Sequence, residues 1–322
     1  MPEASDREAG IPPRSEPGPE RPFRAGNKVR IGYGLGNLRP LTGGALGAMA
    51  EALEGSGFDS LWLSERISGP APDPVLALAF AAARTKRIKL GTSVSVLPGR
   101  SPALVAKEWA TLDALSGGRA LPAFGLGIAH PVEQQAFGVE RADRASIFDE
   151  ALPLLRRLWS EDDVDHDGRW FHYAHMNVQP KPTRPLDVWL GGRAPSELRR
   201  VGRLADGWLA SFATPEQCKA GRVAIEEAAD AAGREIDPEH FGVMALYAHG
   251  ALPDGFAQAI RSRNPDAPVD DLVARGWSEL HDLCARYIAV GFSKLVLVPL
   301  REPRDWDDEL AAGAAALLSL QT

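Results

Sequence analysis

From Val29 onward, short runs of large apolar side chains alternate with longer stretches in which apolar positions fall three and four residues apart. The first pattern is that of a buried strand and the second that of a helix laid over it. The runs are Val29–Tyr33, Ser60–Leu63, Ile88–Val94, Ala120–Gly125, Val188–Leu190, Gly207–Ser211, Gly242–Tyr247 and Lys294–Val298. Helical spacing lies between most of them, as in "GALGAMAEALEGSG", "PVLALAFAAART", "PALVAKEWATLDALSGG" and "PEQCKAGRVAIEEAADAAGR". Glycines follow several of these segments, at Gly117-Gly118 and at Gly233, where a left-handed cap would end a helix. Eight strands with intervening helices predict an α/β fold, a closed (β/α)8 barrel in preference to an open doubly wound sheet, although the count leaves closure open.

One interval is too long for a single crossover. Between Ile128 and Leu186 lies a helical pattern, "RASIFDEALPLLRRLW", and then the irregular "SEDDVDHDGRWFHYAHMNVQPKPTRP". An insertion after the fourth strand of a barrel is placed to cover the catalytic mouth, so this stretch is expected to act as a lid. Residues 1–26 are rich in Pro, Glu, Arg and Gly and have too few large apolar side chains to offset their ordering entropy. They are expected to form a disordered tail, leaving 27–322 as the barrel.

Composition narrows the setting. The net charge of -7 argues against a general nucleic-acid binder, and no apolar run is long enough to span a bilayer. Cys218 and Cys284 make no disulfide framework, and the N-terminus shows no signal peptide, so a cytoplasmic protein is expected. The stretch "GYGLGNLRP" lacks the third glycine of a dinucleotide fingerprint, and no nucleoside-triphosphate loop is present.

Several segments could carry chemistry. Ile88–Val94 begins as an aliphatic strand and then turns to Gly91-Thr92-Ser93, where either the strand meets water or a flat ligand approaches. In "LGGRAPSELRR", Gly191 and Gly192 allow close backbone approach, Pro195 suits a first helical turn, and the amides together with Arg193 could cradle a phosphate; a tight turn is the alternative. His172 and His175 stand three apart in a stretch without helical character, so no metal site is expected there. Trp170, Phe171 and Tyr173 are expected to line a substrate pocket or pack the lid, and Trp62, Trp189 and Trp208 to fill the core.

The stretches "EGSGFDSLWLSE", "LGTSVSVLPGRSPALVAKEWATLDALSGGRALPAFGLG", "FDEALPLLRRLW", "VWLGGRAPSELRRVGRLADGW" and "RYIAVGFSKLVLVP" come in an order and spacing that resembles the luciferase-like family of flavin and deazaflavin oxidoreductases. The resemblance covers nearly everything after the tail. It implies a closed eightfold barrel with its cofactor at the C-terminal mouth, and a non-proline cis peptide at Ser93–Val94 propping the ring. It implies ring contacts from Glu65 and from the Gly127-Ile128-Ala129 loop, and a cofactor-phosphate loop at Gly191, Gly192, Arg193 and Ala194. Deazaflavin relatives frequently follow the acid with histidine, whereas this chain has Arg66, a poor base. Arg66 is therefore expected either to hold a substrate carboxylate or phosphate or to pair with a neighbouring acid. His130, a histidine just past a strand end, is the preferred proton carrier, with Glu65 as the other candidate. The resemblance further implies a homodimer acting on a small-molecule substrate by hydride transfer with coenzyme F420. The alternatives are an FMN-dependent monooxygenase and a non-catalytic flavin- or deazaflavin-binding protein.

Overall fold

The computed structural model describes residues 28–36 and 42–322. The expected tail lies outside them, as do Asn37, Leu38 and Arg39 of the glycine-bearing loop. Strands and helices alternate as the apolar pattern requires. The first half of the chain runs β1 (Arg30–Gly34), α1 (Gly43–Gly55), β2 (Ser60–Leu63), α2 (Pro74–Arg84), β3 (Lys89–Thr92), β4 (Ser95–Val96) and α3 (Pro102–Ser116). It continues through β5 (Ala120–Leu121), β6 (Ala123–Gly125), α4 (Pro131–Phe137) and α5 (Arg144–Ser160). A hairpin follows, β7 (Val164–Asp167) and β8 (His172–Met176), and then β9 (Trp189–Leu190), α6 (Pro195–Leu204), β10 (Gly207–Ala210) and α7 (Pro215–Ala231). The chain ends with β11 (Phe241–Ala248), α8 (Phe256–Arg263), β12 (Val273–Arg275), α9 (Trp277–Ala289), β13 (Lys294–Pro299) and α10 (Trp306–Leu317).

Local sequence explains the helix starts. Helices α2, α3, α4, α6 and α7 each begin with proline, whose fixed φ suits the first turn and whose missing N–H costs nothing there. Asp73 caps α2 by accepting the amide of Leu76 at 2.9 Å. Thr214 and Gln217 cap α7 reciprocally, at 3.0 and 3.3 Å. Gly117, at φ +70°, closes α3 in the left-handed region, as the sequence predicts.

Eleven of the strands form one curled, wholly parallel sheet in the order β5-β3-β2-β1-β13-β11-β10-β9-β6-β4, with β12 added beside β11. β5 and β4 stand at its two ends. The concave side holds an apolar cluster that includes Trp62, Trp189, Leu209, Leu246 and Val296. Two indoles fit there because the neighbouring strands supply glycine. A Cβ on Gly91 would lie 2.5 Å from the Trp62 ring, and one on Gly207 or Gly242 would lie 2.6 or 2.8 Å from the Trp189 ring. The larger cluster, with Tyr33, Trp109, Phe148, Trp208 and Leu295, lies between the strands and the helices. Trp62, Trp189 and Trp208 are all buried, as expected of core residues.

The long interval departs from expectation. Its "irregular" part is the antiparallel β7–β8 hairpin, which Glu150 of α5 fastens by accepting the amides of Arg169, Trp170 and Phe171 and meeting His166 at 3.0 Å. Tyr173 reaches α3 instead of a mouth, its hydroxyl 3.0 Å from Ser101 Oγ. The strand periodicity was hidden because polar and charged side chains occupy both faces of this exposed ribbon. β12 is likewise too short to show a period.

Candidate functional site

The site is built on a clasp between the ends of neighbouring strands. Past β2, Ser64 Oγ lies 3.0 Å from the Ser93 carbonyl and 3.1 Å from Ser93 Oγ. The next residue, Glu65, accepts the Val96 amide at 2.6 Å and pairs with the Arg100 guanidinium. The two side chains thus hold both flanks of the Ser93–Val94 peptide, which is cis as the resemblance implied. The Glu65 side chain is only 2% exposed. Burial raises its carboxyl above the usual range, opposed by the charge of Arg100 and the Val96 N–H.

Thr92 has a different task from the one its hydroxyl suggested. Pro122 interrupts the strand between β5 and β6 and has no N–H to give. Thr92 Oγ1 bridges the gap, donating to the Ala123 carbonyl at 2.7 Å and accepting the Ala123 amide at 3.1 Å. The run of small hydroxyl residues is therefore divided: Thr92 completes the ladder, while Ser93 reaches the cleft.

That cleft has a volume of about 510 Å³ and is formed by residues at the carboxyl ends of β1, β2, β6, β10, β11 and β13 and around the β3–β4 junction. Its walls are apolar, with Val94, Val96, Phe212, Met244, Leu246 and Val298. Its polar groups are Ser64, Glu65, Arg66, Ser93, Glu133, Ser211 and Arg263. Val94 also faces an adjoining cavity of about 200 Å³, which Gly127, Ile128, Gly191, Gly192, Glu197 and Arg200 help to line. A Cβ on Gly125 would lie 2.7 Å from one Val94 methyl, and one on Gly191 3.1 Å from the other. Glycine at both places makes room for that side chain.

Glu133, from α4, fixes the loop that carries Arg66. It is 4% exposed and accepts the amides of Ile67 at 3.1 Å and Ser68 at 2.9 Å, as well as the Ser68 hydroxyl. Burial pushes its carboxyl up, but the bonds from Ser68 and Ile67 and the charge of Arg66 outweigh this and leave it below the usual range.

Of the residues singled out in the sequence, Glu65, Arg66, Ser93, Val94, Gly127 and Ile128 meet in the cleft. Gly191 and Gly192 lie on the adjoining cavity. Ala129, His130, Arg193 and Ala194 line neither. His130 is exposed at the start of α4, three residues before Glu133. The amides of Arg193 and Ala194 donate to Glu197 Oε2 at 3.0 and 2.9 Å, so a carboxylate of the same helix already meets two of the donors expected to cradle phosphate. The Arg193 guanidinium donates to the Arg263 carbonyl at 2.7 Å. Sequence reasoning missed Arg100, Glu133, Phe212, Met244 and Arg263. Only Glu133 left a signal, as the acid in the first turn after "HP". Trp170, Phe171 and Tyr173 do not line the cleft. His172 pairs with Asp167 at 2.7 Å, and His175 lies by Asp163 and Asp165, with one ligand-type atom of each residue within 4.8 Å of the others; all three are exposed on the hairpin segment.

The lining suits a flat, polar-edged ring: a slot with apolar walls, three serines and two arginines among its polar residues, and glycine where side chains would intrude. The model of the luciferase-like monooxygenase family matches residues 32–261, and the chain belongs to that family. Two relatives are F420-dependent glucose-6-phosphate dehydrogenases. That of Kineococcus radiotolerans is 29% identical over 272 residues, covering 80% of this chain and 78% of the relative. That of Intrasporangium calvum is 31% identical over 283 residues, covering 75% and 84%. Among solved structures, an F420-dependent secondary alcohol dehydrogenase in complex with an F420-acetone adduct superposes with a TM-score of 0.76 at 20% identity, covering 92% of this chain and all of that one. No helix among the described residues is long and apolar enough to cross a membrane.

Proposed function

We propose that this chain is an oxidoreductase that transfers a hydride between coenzyme F420 and a small organic substrate. The observation that carries the reading is the convergence of strand carboxyl ends on one apolar cleft with Glu65, Ser93 and Val94 at its floor. In barrels of this class the reacting groups gather at that face. Coenzyme F420 supplies a ring carbon that gives or takes the hydride. The protein's part is positioning. Ser64 and Glu65 hold the Ser93–Val94 segment as a shelf for the ring, and Gly127 and Ile128 are the proposed facing contact, while Ala129, the third residue expected there, would have to move to reach it. Gly191, Gly192, Arg193 and Ala194 remain the proposed contact for the cofactor's phosphate. Glu197 would have to release the two amides it holds, or the contact would fall to the glycines and the arginine side chain. Arg66 is the substrate contact. The accompanying proton passes through Glu65 or His130, and Glu65, which lies in the cleft with its carboxyl raised, is the better placed.

The architecture behind this reading is a closed eight-stranded barrel spanning residues 27–322, with the α5–β7–β8 stretch inserted after the fourth strand. Two features support closure. Only Ser93 and Val94 separate β3 from β4, and only Pro122 separates β5 from β6. If each pair is one interrupted strand, the pairing of β3 with β5 and of β4 with β6 brings the ladder back on itself. A cytoplasmic homodimer is the accompanying expectation, to be checked by light scattering of the purified protein and by fractionation of cells.

Titration of the purified protein with F420 and, separately, with FMN, followed by fluorescence, tests the central reading. F420 should bind in the micromolar range or tighter and FMN at least tenfold more weakly. Tight FMN with no affinity for F420 would replace this reading with the flavin monooxygenase one, and F420 binding without turnover on a broad alcohol, aldehyde and enone panel would leave a binding protein.

A further inference from the structure

Two arginines enter the cleft from opposite elements. Arg66 comes from the loop after β2, and Arg263 is the last residue of α8. Among the described residues neither guanidinium takes part in a hydrogen bond or ion pair. The carboxylates of the cleft are already engaged elsewhere. Glu65 is held by Arg100 and the Val96 amide, and Glu133 by Ser68 and the Ile67 amide. Both arginines are nonetheless kept in position. Glu133 fixes the two residues after Arg66, while the Arg263 guanidinium stacks over the Phe212 ring at 4.6 Å and its carbonyl is gripped by Arg193. Arg263 is exposed at the rim and Arg66 is partly buried, so both guanidinium groups are open to a ligand from solution, and their positive charges act on each other.

Neither arginine loses its proton at any ordinary pH, and with Glu133 as the one carboxylate among the described residues that feels Arg66, the pair keeps an excess positive charge suited to an anionic ligand. The planar fork of arginine matches the oxygens of carboxylate and phosphate in pairs. We propose that the substrate of this site is a small organic anion whose carboxylate or phosphate is held between Arg66 and Arg263. The proposal rests on the hydride-transfer reading for what happens to that substrate, but not for the binding itself. Because Arg66 directly follows Glu65, which fastens the Ser93–Val94 segment, an anion held by Arg66 would sit in the same cleft as the proposed shelf for the ring. A compact oxo or hydroxy acid, or a phosphorylated counterpart, meets that condition.

The test is calorimetric titration of the full chain at low ionic strength, with inorganic phosphate in one arm and acetate in the other, on the wild type and on Arg66→Met and Arg263→Met. F420 affinity is measured by fluorescence on the same three proteins, and thermal melting confirms that each is folded. Each substitution should weaken the better-bound probe at least tenfold while F420 affinity changes less than threefold; the arm that binds more tightly identifies the anion. Unchanged probe binding in both variants would overturn the proposal. So would variants that lose F420 and keep the probe, because the pair would then serve the cofactor. If the wild type binds no F420 yet its probe affinity depends on both arginines, the hydride-transfer reading falls and the anion site stands.

Discussion

The Glu65 carboxylate accepts the backbone N–H of Val96 at 2.6 Å and so ties the segment that follows β2 to the far side of the Ser93–Val94 junction. The bond separates two roles of the side chain, as an acceptor and as a charge. Glu65→Gln keeps an oxygen for the Val96 amide, and Arg100, about a third exposed, can hydrate. Stability at neutral pH should therefore stay within about 1 kcal/mol of the wild type. Glu65→Ala leaves the amide buried without a partner and should cost about 1–3 kcal/mol. Because burial leads and the native carboxyl pKa is raised, the native state holds the extra proton between the unfolded and folded values. The Glu65 contribution is full below the unfolded pKa and is lost as pH rises through the folded one. Urea unfolding from about pH 4 to 7 should show the wild type losing stability relative to Glu65→Gln over that rise; a difference that moves the other way would contradict this assignment.

Glu133 has the opposite sign. Its carboxyl lies below the usual range, so the stability it contributes is present above the unfolded carboxyl pKa and is lost as pH falls through the native one. Glu133→Gln removes the charge from three hydrogen bonds that fix Ile67 and Ser68, and should cost about 1–3 kcal/mol at neutral pH. That cost should shrink in acid, as chemical denaturation at the two pH values would reveal. In turnover the released Arg66 loop should raise KM more than it lowers kcat. Equal falls in kcat and kcat/KM would mean that Glu133 acts on the reacting atoms instead.

What the sequence made legible, and what it hid, follows from distance along the chain. Buried runs such as Lys294–Pro299 and Gly207–Ala210 announce themselves because every position faces protein, and prolines at helix starts mark their own geometry. The shelf was legible only through resemblance. Nothing local in Gly91-Thr92-Ser93 distinguishes the hydroxyl that repairs the ladder at Pro122 from the one that faces the cleft. Glu133 and Arg263 were hidden for another reason. Each depends on partners some 50 to 70 residues away, Phe212 for one and Ile67 and Ser68 for the other, and no spacing rule connects them. On the hairpin, His172 meets Asp167 and His175 meets Asp163, partners that sequence spacing did not reveal.

Val94 is held between two glycines, and that space can be tested. Gly125→Ala would put a methyl 2.7 Å from a Val94 methyl, with no flexible chain end to yield. Overpacking of this kind costs about 1–3 kcal/mol. It should also push Val94 into the cleft and weaken F420 binding at least tenfold by fluorescence titration. Gly44→Ala, in the exposed first turn of α1 with nothing within 4 Å of the new Cβ, is the control. It should bind F420 normally and melt no earlier than the wild type. Normal F420 affinity in Gly125→Ala would show that Val94 does not face the ring.

His130 and Glu65 are the two candidates for the proton that accompanies hydride transfer, and their surroundings differ sharply. His130 is exposed before α4 and lines neither cavity, whereas Glu65 is buried in the cleft with its pKa raised. A proton carrier must come within hydrogen-bond reach of the substrate, directly or through one water. His130→Ala should therefore change kcat less than about threefold and leave the pH profile of kcat/KM in place, while Glu65→Gln should lower kcat at least a hundredfold, in line with the usual contribution of a general acid or base. The profile is the decisive readout, because a purely structural loss would lower the curve without moving its inflections. If His130→Ala abolishes an inflection near neutrality, the loop must close over the substrate during turnover, and the histidine, not Glu65, carries the proton.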